Sequence, residues 1–300
     1  MSIKSIINKM EPVKVVVRNV TKLIPDEPYI KLKYRWAFGK WPDLKKPLTY
    51  NEKVNWLKLH DRKPIYTQMV DKYEVKRIVA EKVGAQYIIP TYGVWDSFDQ
   101  IDFDMLPEQF VLKGTHDGGS IVICKDKKKL NKEAARKKLN AALRQNYYWH
   151  GREWPYKNVR PRIIAEAYME DEETEELRDY KFFCFNGVPK ALFIATDRQR
   201  EGEETKFDFF DMEFNHLDIK NGHENAIVPP AKPVCFEEMK RLASILSEGI
   251  PQLRVDFYEV NGKVFFGELT FSHWDAMIPF EPEKWDRVFG DWIKLPSANS

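Results

Sequence analysis

The sequence predicts an α+β protein, and three observations carry that prediction. Two pairs of apolar, β-branched and aromatic runs meet at Asn186-Gly187 and Asn261-Gly262, a strong short-range hairpin signal. A third pair, Phe110–Lys113 and Ser120–Cys124, flanks a glycine-rich turn. Helical patterns lie between these pairs rather than inside them, which favours antiparallel pairing over a doubly wound parallel sheet. The 300 residues are 43% hydrophobic and 14% aromatic, enough to bury a sizeable core and unlike a disordered chain.

The elements follow in order. A helix is expected at about Asn51–His60, with Thr49 as N-cap and Glu52 completing a capping box. Asp71–Val83 reads as a second helix that stops at Gly84. Asn131–Asn146 is a third, rich in Ala, Lys and Arg, and Arg162–Tyr168 an apolar strand. Tyr180–Asn186 and Pro189–Thr196 form the first Asn-Gly hairpin, Phe236–Glu248 a helix, and Leu253–Val260 with Lys263–Thr270 the last hairpin. The expected partition is a basic, irregular to helical N-terminal segment (1–66), a first lobe with the glycine loop (67–169) and a second lobe (170–300).

Charge is unevenly placed. Residues 1–60 hold 13 Lys/Arg against 5 Asp/Glu, a balance of +8, while the remainder carries −6. A basic arm on an acidic body suits an anionic partner as well as it suits a solvated surface. Three sparse cysteines, Cys124, Cys184 and Cys235, contain no CxxC pair and fit a reducing compartment without a zinc site. The first residues have lysines inside a short apolar stretch, unlike a signal peptide. No apolar run reaches the ~18–20 residues that span a bilayer. The expectation is a cytoplasmic protein, at most peripheral to the inner membrane face.

Two constellations carry chemistry. In Val111-Leu-Lys-Gly-Thr-His-Asp-Gly-Gly-Ser120 a lysine ends a strand and a Gly/Ser/Thr loop follows, where backbone N–H groups can approach phosphate oxygens. The pattern is neither GxxxxGK[ST] nor GxGxxG, and an ordinary turn explains it equally well. In the last hairpin, alternation puts Arg254 with Asp256 on one face and Glu268 with Thr270 on one face. Whether these are the same face depends on the turn. A two-residue Asn-Gly turn pairs Asp256 with Gly267 and sends Glu268 away. A three-residue turn with a bulge at Gly262 pairs Arg254 with Glu268 and gathers all four polar groups. Only that second arrangement gives two carboxylates able to hold magnesium beside phosphate oxygens; the other reading is a solvated strand face.

Minor features stay open. Glu170–Glu176 carries six carboxylates in seven residues and reads as a solvated loop. Arg198, in Thr-Asp-Arg, can reach an anion or simply face solvent. His116 and His273 read as substrate contacts rather than metal ligands. No GxSxG motif and no base beside Cys124 support a hydrolase.

These pieces in this order resemble the ATP-grasp superfamily, which includes D-alanine:D-alanine ligase and biotin carboxylase. More closely, the chain resembles the bacterial ATP-grasp family named for a teichuronopeptide-synthesis protein. The resemblance rests on LKKPLTYNEKVNWLKLHDR at 45–62, VDKYEVKRIVAEKVGAQYIIPTYGVWDSFDQIDF at 70–103, FVLKGTHDGG at 110–119, DYKFFCFNGVPK at 179–190 and RVDFYEVNGKVFFGELTF at 254–271. It implies two α+β lobes gripping ATP. It also implies phosphate contacts from Lys72 and Lys113, and a flexible loop of His116, Asp117, Gly118, Gly119 and Ser120. Glu166, Tyr168 and Met169 would form a hinge at the adenine. Asp179 would lie at the ribose with Lys181 beside it, and Asp256 and Glu268 would hold magnesium. Arg254, with Lys113 and Arg198, would act on the reacting groups. The superfamily usually has Asn where Thr270 stands, and Ser272-His-Trp-Asp275 replaces a glycine-rich continuation.

The implied activity is ATP- and magnesium-dependent joining of a carboxylate, such as a uronic acid of a glycan, to a small amine, possible partners being amino acids, with the amide formed through an acyl-phosphate. The implied setting is capsule or surface polysaccharide synthesis, without nucleic acid as a partner and with membrane contact through the basic segment. A kinase or glycosyltransferase-type enzyme and a non-catalytic nucleotide-binding subunit are the competing readings.

Overall fold

The computed structural model describes residues 21–172, 177–197 and 204–296. Two antiparallel sheets organise them. The smaller, in order β1-β4-β2-β3, comprises β1 (Thr91–Trp95), β2 (Phe110–Gly114), β3 (Ile121–Cys124) and β4 (Ile163–Ala167). The larger has order β10-β9-β5-β6-β7-β8 and comprises β5 (Asp179–Phe185), β6 (Val188–Thr196), β7 (Lys206–Phe210), β8 (His216–Leu217), β9 (Leu253–Val260) and β10 (Lys263–Thr270). The helices are α1 (Asp26–Phe38), α2 (Tyr50–His60), α3 (Ile65–Val70), α4 (Glu74–Val83), α5 (Lys132–Leu143), α6 (Tyr148–Gly151), α7 (Phe236–Leu246) and α8 (Lys284–Trp292). The expected α+β class is observed, with every strand pairing antiparallel.

Strand alternation gives each sheet two different faces. On the small sheet Phe110, Leu112, Ile163 and Ala165 pack against Ala135 and Leu139 of α5. The opposite face carries Lys113 and Glu166. On the large sheet one face, with Phe182, Leu192, Val255 and Phe257, is covered by α3, α4 and α7. The other, with Phe183, Phe193 and Phe209, is covered at one end by Tyr50 and Val54 of α2 and Phe289 of α8. Polar residues occupy the rest of that face.

Packing crosses the boundaries of the expected partition. α2 belongs to the core of the large sheet rather than to a separate N-terminal segment. α3 and α4, assigned above to the first lobe, bury Met69, Val75 and Val79 on the large sheet with α7. Their apolar faces determine this, and sequence order does not. The second helix also starts later than expected, at Glu74. The Asp71 carboxylate accepts from the N–H groups of Tyr73 and Glu74 at 2.8 and 3.2 Å, capping the turn from outside.

Local signals elsewhere hold. Thr49 and Glu52 make the reciprocal capping box. Asn186 and Gly187 both have positive φ (50° and 81°), as do Asn261 and Gly262 (50° and 70°), so both hairpins turn on two residues. The capping turn of α2 is also a packing surface. A Cβ on Gly290 of α8 would lie 2.7–2.8 Å from Thr49 backbone carbons and closer still to the Leu48 carbonyl oxygen. Gly290→Ala must therefore push α8 off α2. The expected loss is about 1–3 kcal/mol, read as a lowered melting temperature with secondary structure content retained.

Candidate functional site

The last hairpin resolves its own ambiguity in an unexpected way. The turn has two residues, which by itself would send Glu268 to the wrong face. The register runs Lys263↔Val260 to Phe266↔Phe257, then jumps to Glu268↔Asp256 and Thr270↔Arg254. Gly267 is the extra residue. The bulge expected at Gly262 sits in mid-strand instead, and it reverses the parity of everything after it. A Cβ on Gly267 would lie 3.1 Å from the Asp256 carbonyl oxygen and 3.2 Å from the Tyr258 ring, so the bulge draws the backbones close.

Arg254, Asp256, Glu268 and Thr270 thereby meet. The Arg254 guanidinium donates to both Asp256 oxygens at 2.7 Å, to Glu268 Oε1 at 2.9 Å and to Thr270 Oγ1 at 3.0 Å. Lys181, from neighbouring β5, donates to Asp256 and, at 3.1 Å, to Asp179. Asp179 is 1% exposed and accepts from Lys181, which places it beneath the surface beside that lysine. Burial pushes the Glu268 carboxyl up, but Lys72, Lys181 and Arg254 outweigh it and hold the group well below the usual carboxylate range.

A fourth residue fixes the guanidinium. His273 Nδ1 lies 2.6 Å from Arg254 Nη1, and His273 Nε2 lies 2.9 Å from Asn221 Oδ1. The Asn221 amide nitrogen donates to the Ile278 and Pro279 carbonyls, leaving its oxygen to accept. His273 is therefore neutral, protonated on Nε2 and accepting on Nδ1. Burial, Arg254 and Lys181 all push its pKa well below the ordinary value. The expectation that His273 contacts substrate becomes, first, support for Arg254.

The loop carrying His273 is strained. Trp274, Asp275 and Ala276 have φ of 50°, 57° and 54° in succession, costing roughly 1–3 kcal/mol each. One face of α2 holds it. Lys58 Nζ donates to the Asp275 carbonyl, Asn55 Nδ2 to Ala276 O at 3.1 Å and Asn51 Nδ2 to Ile278 O at 3.3 Å. The spacing 51, 55, 58 is one helical stripe. Hence a stretch of the N-terminal segment that carries no reactive group builds the site.

On the small sheet, Glu166 is 4% exposed and binds Lys76 at 2.6 Å and also Lys113. Burial raises its pKa, but the two lysines prevail and hold it below the ordinary value. Lys76 gave no signal in the sequence. Lys72 donates to the Asp117 carbonyl, tying the start of α4 to the glycine loop. That loop closes on itself: Ser120 Oγ donates to Asp117 Oδ1 at 2.6 Å and accepts from Gly114 N at 3.0 Å. His116 is 2% exposed and bonds the Ala142 carbonyl, so it anchors the loop from inside. Gly119 has open space around it, and Gly118 faces the cleft. Tyr168 lies under Lys125 Nζ, 5.2 Å from the ring centroid, and Met169 follows, half-buried. Arg198 and residues 173–176 lie outside the described residues.

A cleft of about 520 Å³ opens beside Arg254 and Glu268, reaching Gly118 on one side and Lys33 and Trp36 of α1 on the other. Its floor holds a carboxyl pair that the sequence did not suggest. Glu153 and Asp275 are 3% and 8% exposed and lie side by side, so that the charge of one disfavours ionisation of the other. Asp275 also binds Lys33 at 2.9 Å and His150 Nδ1 at 2.7 Å, so it keeps the negative charge. Burial and Asp275 push Glu153 well above the ordinary carboxyl value, so the proton resides there.

Two carboxylates and a hydroxyl fit magnesium, which commonly takes one or two carboxylates and completes its shell with water and phosphate oxygens. They do not form a closed protein cage: among the described residues no group of three His, Cys, Asp or Glu side chains is placed to hold a metal.

The Glu153 proton makes a sign-definite prediction. An acid whose pKa is raised on folding gives stability that is full below the unfolded value, about 4.3, and is lost as pH rises through the folded value. Glu153→Gln keeps the donor without the titration. Denaturant midpoints of wild type and variant should therefore diverge with rising pH, wild type falling relative to Glu153→Gln. Parallel curves would mean that Glu153 is ionised in the folded protein.

Comparison with known proteins follows this geometry. No curated protein matches the chain significantly in sequence. D-Alanine-D-alanine ligase from Helicobacter pylori is similar at 14% identity over 76% of this chain and 61% of that one, with a TM-score of 0.39. L-Amino acid ligase from Bacillus licheniformis is similar at 13% identity over 82% and 55%, with a TM-score of 0.45. The chain thus spans less than two thirds of the length of these structures. The TupA-like ATPgrasp family model matches residues 52–294, from α2 through α8 to the residues just beyond it. The chain belongs to the TupA-like ATP-grasp family.

Proposed function

We propose that this chain is an ATP- and magnesium-dependent ligase joining a carboxylate to an amine through an acyl-phosphate. The observation that carries the reading is the cluster of Arg254, Asp256, Glu268 and Thr270, gathered on one face by the Gly267 bulge. It stands beside a cleft that also reaches the glycine loop. The TupA-like ATP-grasp membership supports ATP as the phosphoryl donor.

In the first step a carboxylate oxygen attacks the γ-phosphorus. The bond to the β,γ-bridging oxygen breaks, and its electron pair leaves with ADP. Lys72 and Lys113 would exchange the Asp117 carbonyl and Glu166 for phosphate oxygens. Asp256 and Glu268, with Thr270 alongside, would hold magnesium, which supplies charge neutralisation at the phosphates. In the second step the amine nitrogen attacks the acyl carbon, inorganic phosphate departs and the nitrogen gives up a proton. Arg254, oriented by neutral His273, would face the oxyanion that develops there. The Gly118 side of the cleft is where loop closure would exclude water from the acyl-phosphate.

For substrates, the proposal is a uronic-acid carboxylate of a bacterial surface glycan and a small amine such as an amino acid, acted on in the cytoplasm. Among the described residues no helix is long and apolar enough to cross a membrane.

Calorimetric titration of ATP should show binding that requires magnesium and is weakened by Glu268→Ala. No binding to folded wild type would end the ATP-dependent reading. With carboxylate–amine pairs, ADP should appear only when both are present; release with one acceptor alone would indicate a kinase, and nucleotide binding without turnover a non-catalytic subunit. Arg254→Lys keeps the charge but loses the fork. It should lower kcat by about 10²-fold or more while ATP affinity changes little.

A further inference from the structure

The outer face of α1 and the loop after it carries large apolar side chains in water. Leu32, Trp36 and Trp41 are 52%, 88% and 59% exposed. Leu32 and Trp36 stand one turn apart, away from the stripe of Ile30 and Tyr34, which are completely buried. Single exposed apolar residues are ordinary; two indoles and a leucine within ten positions are not. Cations accompany them. Lys31 is ion-paired with Glu27, and Lys40 with Glu283. Arg35, Lys45 and Lys46 are exposed and have no ion pair among the described residues.

We propose that this face seats on an anionic lipid bilayer. Indole rings favour the headgroup level, where an apolar body and a polar N–H are both satisfied. Lysine and arginine beside them meet anionic headgroups. A nucleic acid or soluble polyanion would use the cations but leave Leu32 and both indoles in water. The placement has a consequence for the cleft: Trp36 and Lys33 line it as well as belonging to α1. Seating α1 on the bilayer brings the cleft mouth to the headgroups, where an acceptor carried on a lipid could enter. The membrane seat itself stands independently of the ligase reading; only this account of the acceptor rests on it.

Co-sedimentation of the full chain with vesicles tests the proposal. The chain should bind phosphatidylcholine vesicles doped with phosphatidylglycerol, bind pure phosphatidylcholine weakly, and release as salt is raised. Leu32→Ser, Trp36→Ser and Trp41→Ser together should abolish binding. Arg35→Glu, Lys45→Glu and Lys46→Glu should weaken it about fivefold or more per cation, with thermal melting unchanged in both variants because all these positions are exposed. Wild type that ignores anionic vesicles at low salt overturns the proposal, as does a serine variant that binds like wild type. If the serine substitutions instead dissociate a dimer seen by light scattering, with vesicles unbound throughout, the face is a self-association surface. Binding to a soluble polyanion with vesicles unbound overturns it equally. ATP titration of the same samples separates this result from any failure of nucleotide binding.

Discussion

The buried guanidinium of Arg254 is the constraint around which the second lobe is arranged. A charge at 7% exposure is tolerable only when its donors are met, and here they are met from three directions. Asp256 comes from the same strand, Glu268 and Thr270 from β10, and His273 from the loop beyond it. The β10 partners are available only because Gly267 inserts a residue into the register. Without that bulge Glu268 and Thr270 would point into the apolar face occupied by Val255 and Phe257, and Arg254 would keep one carboxylate. One mid-strand glycine thus couples the chemistry of a face to the packing of its reverse.

The same guanidinium explains why α2 is part of the site. His273 can accept from Arg254 only if its ring is held, and its loop runs through three left-handed residues that would relax if released. Asn51, Asn55 and Lys58 satisfy carbonyls that this backbone turns inward. Lys58 is fully buried and its pKa is pushed down to about 8 by that burial, with Asp275 and Glu153 opposing the shift. It therefore remains largely cationic at neutrality and offsets the charge of the Glu153–Asp275 pair. The Thr49 cap and the close approach of Gly290 fix where α2 begins, and so fix where its stripe of donors falls on the loop.

Much of this was legible, for reasons that can be named. Asn-Gly turns and the Thr49–Glu52 box act over a few residues, so their sequence determines their geometry. Arg254, Asp256, Glu268 and Thr270 could be proposed because alternation limits their relation to two cases. The choice between the cases was read from the turn, whereas the bulge lies five residues beyond it at Gly267, a strand glycine whose meaning depends on the partner strand. Glu153, Asp275, Lys76 and the α2 stripe were missed because each acquires its role from a partner far along the chain: 217 positions separate Lys58 from Asp275. The place of His116 in a glycine loop suggests a ligand contact. The loop is short and closed by Asp117 and Ser120, which turns His116 toward Ala142.

Charge in the site is already paired before any ligand arrives. Lys76 and Lys113 share Glu166, Lys72 meets the Asp117 carbonyl, and Lys181 and Arg254 share Asp256. Two of these cations, Lys181 and Arg254, are nearly removed from water, so the cost of their desolvation falls on folding rather than on binding. A phosphate entering here exchanges one anionic partner for another, and its affinity depends on the difference between the two. On the proposed function, a ligand that meets several of these cations at once would gain most. A lone monoanion would displace Glu166 or Asp256 from one lysine and leave the carboxylate buried with fewer donors. On the proposed ATP-dependent reading, a chain of phosphates at Lys72 and Lys113, with a divalent cation held by Asp256 and Glu268, would replace several of these partners at once.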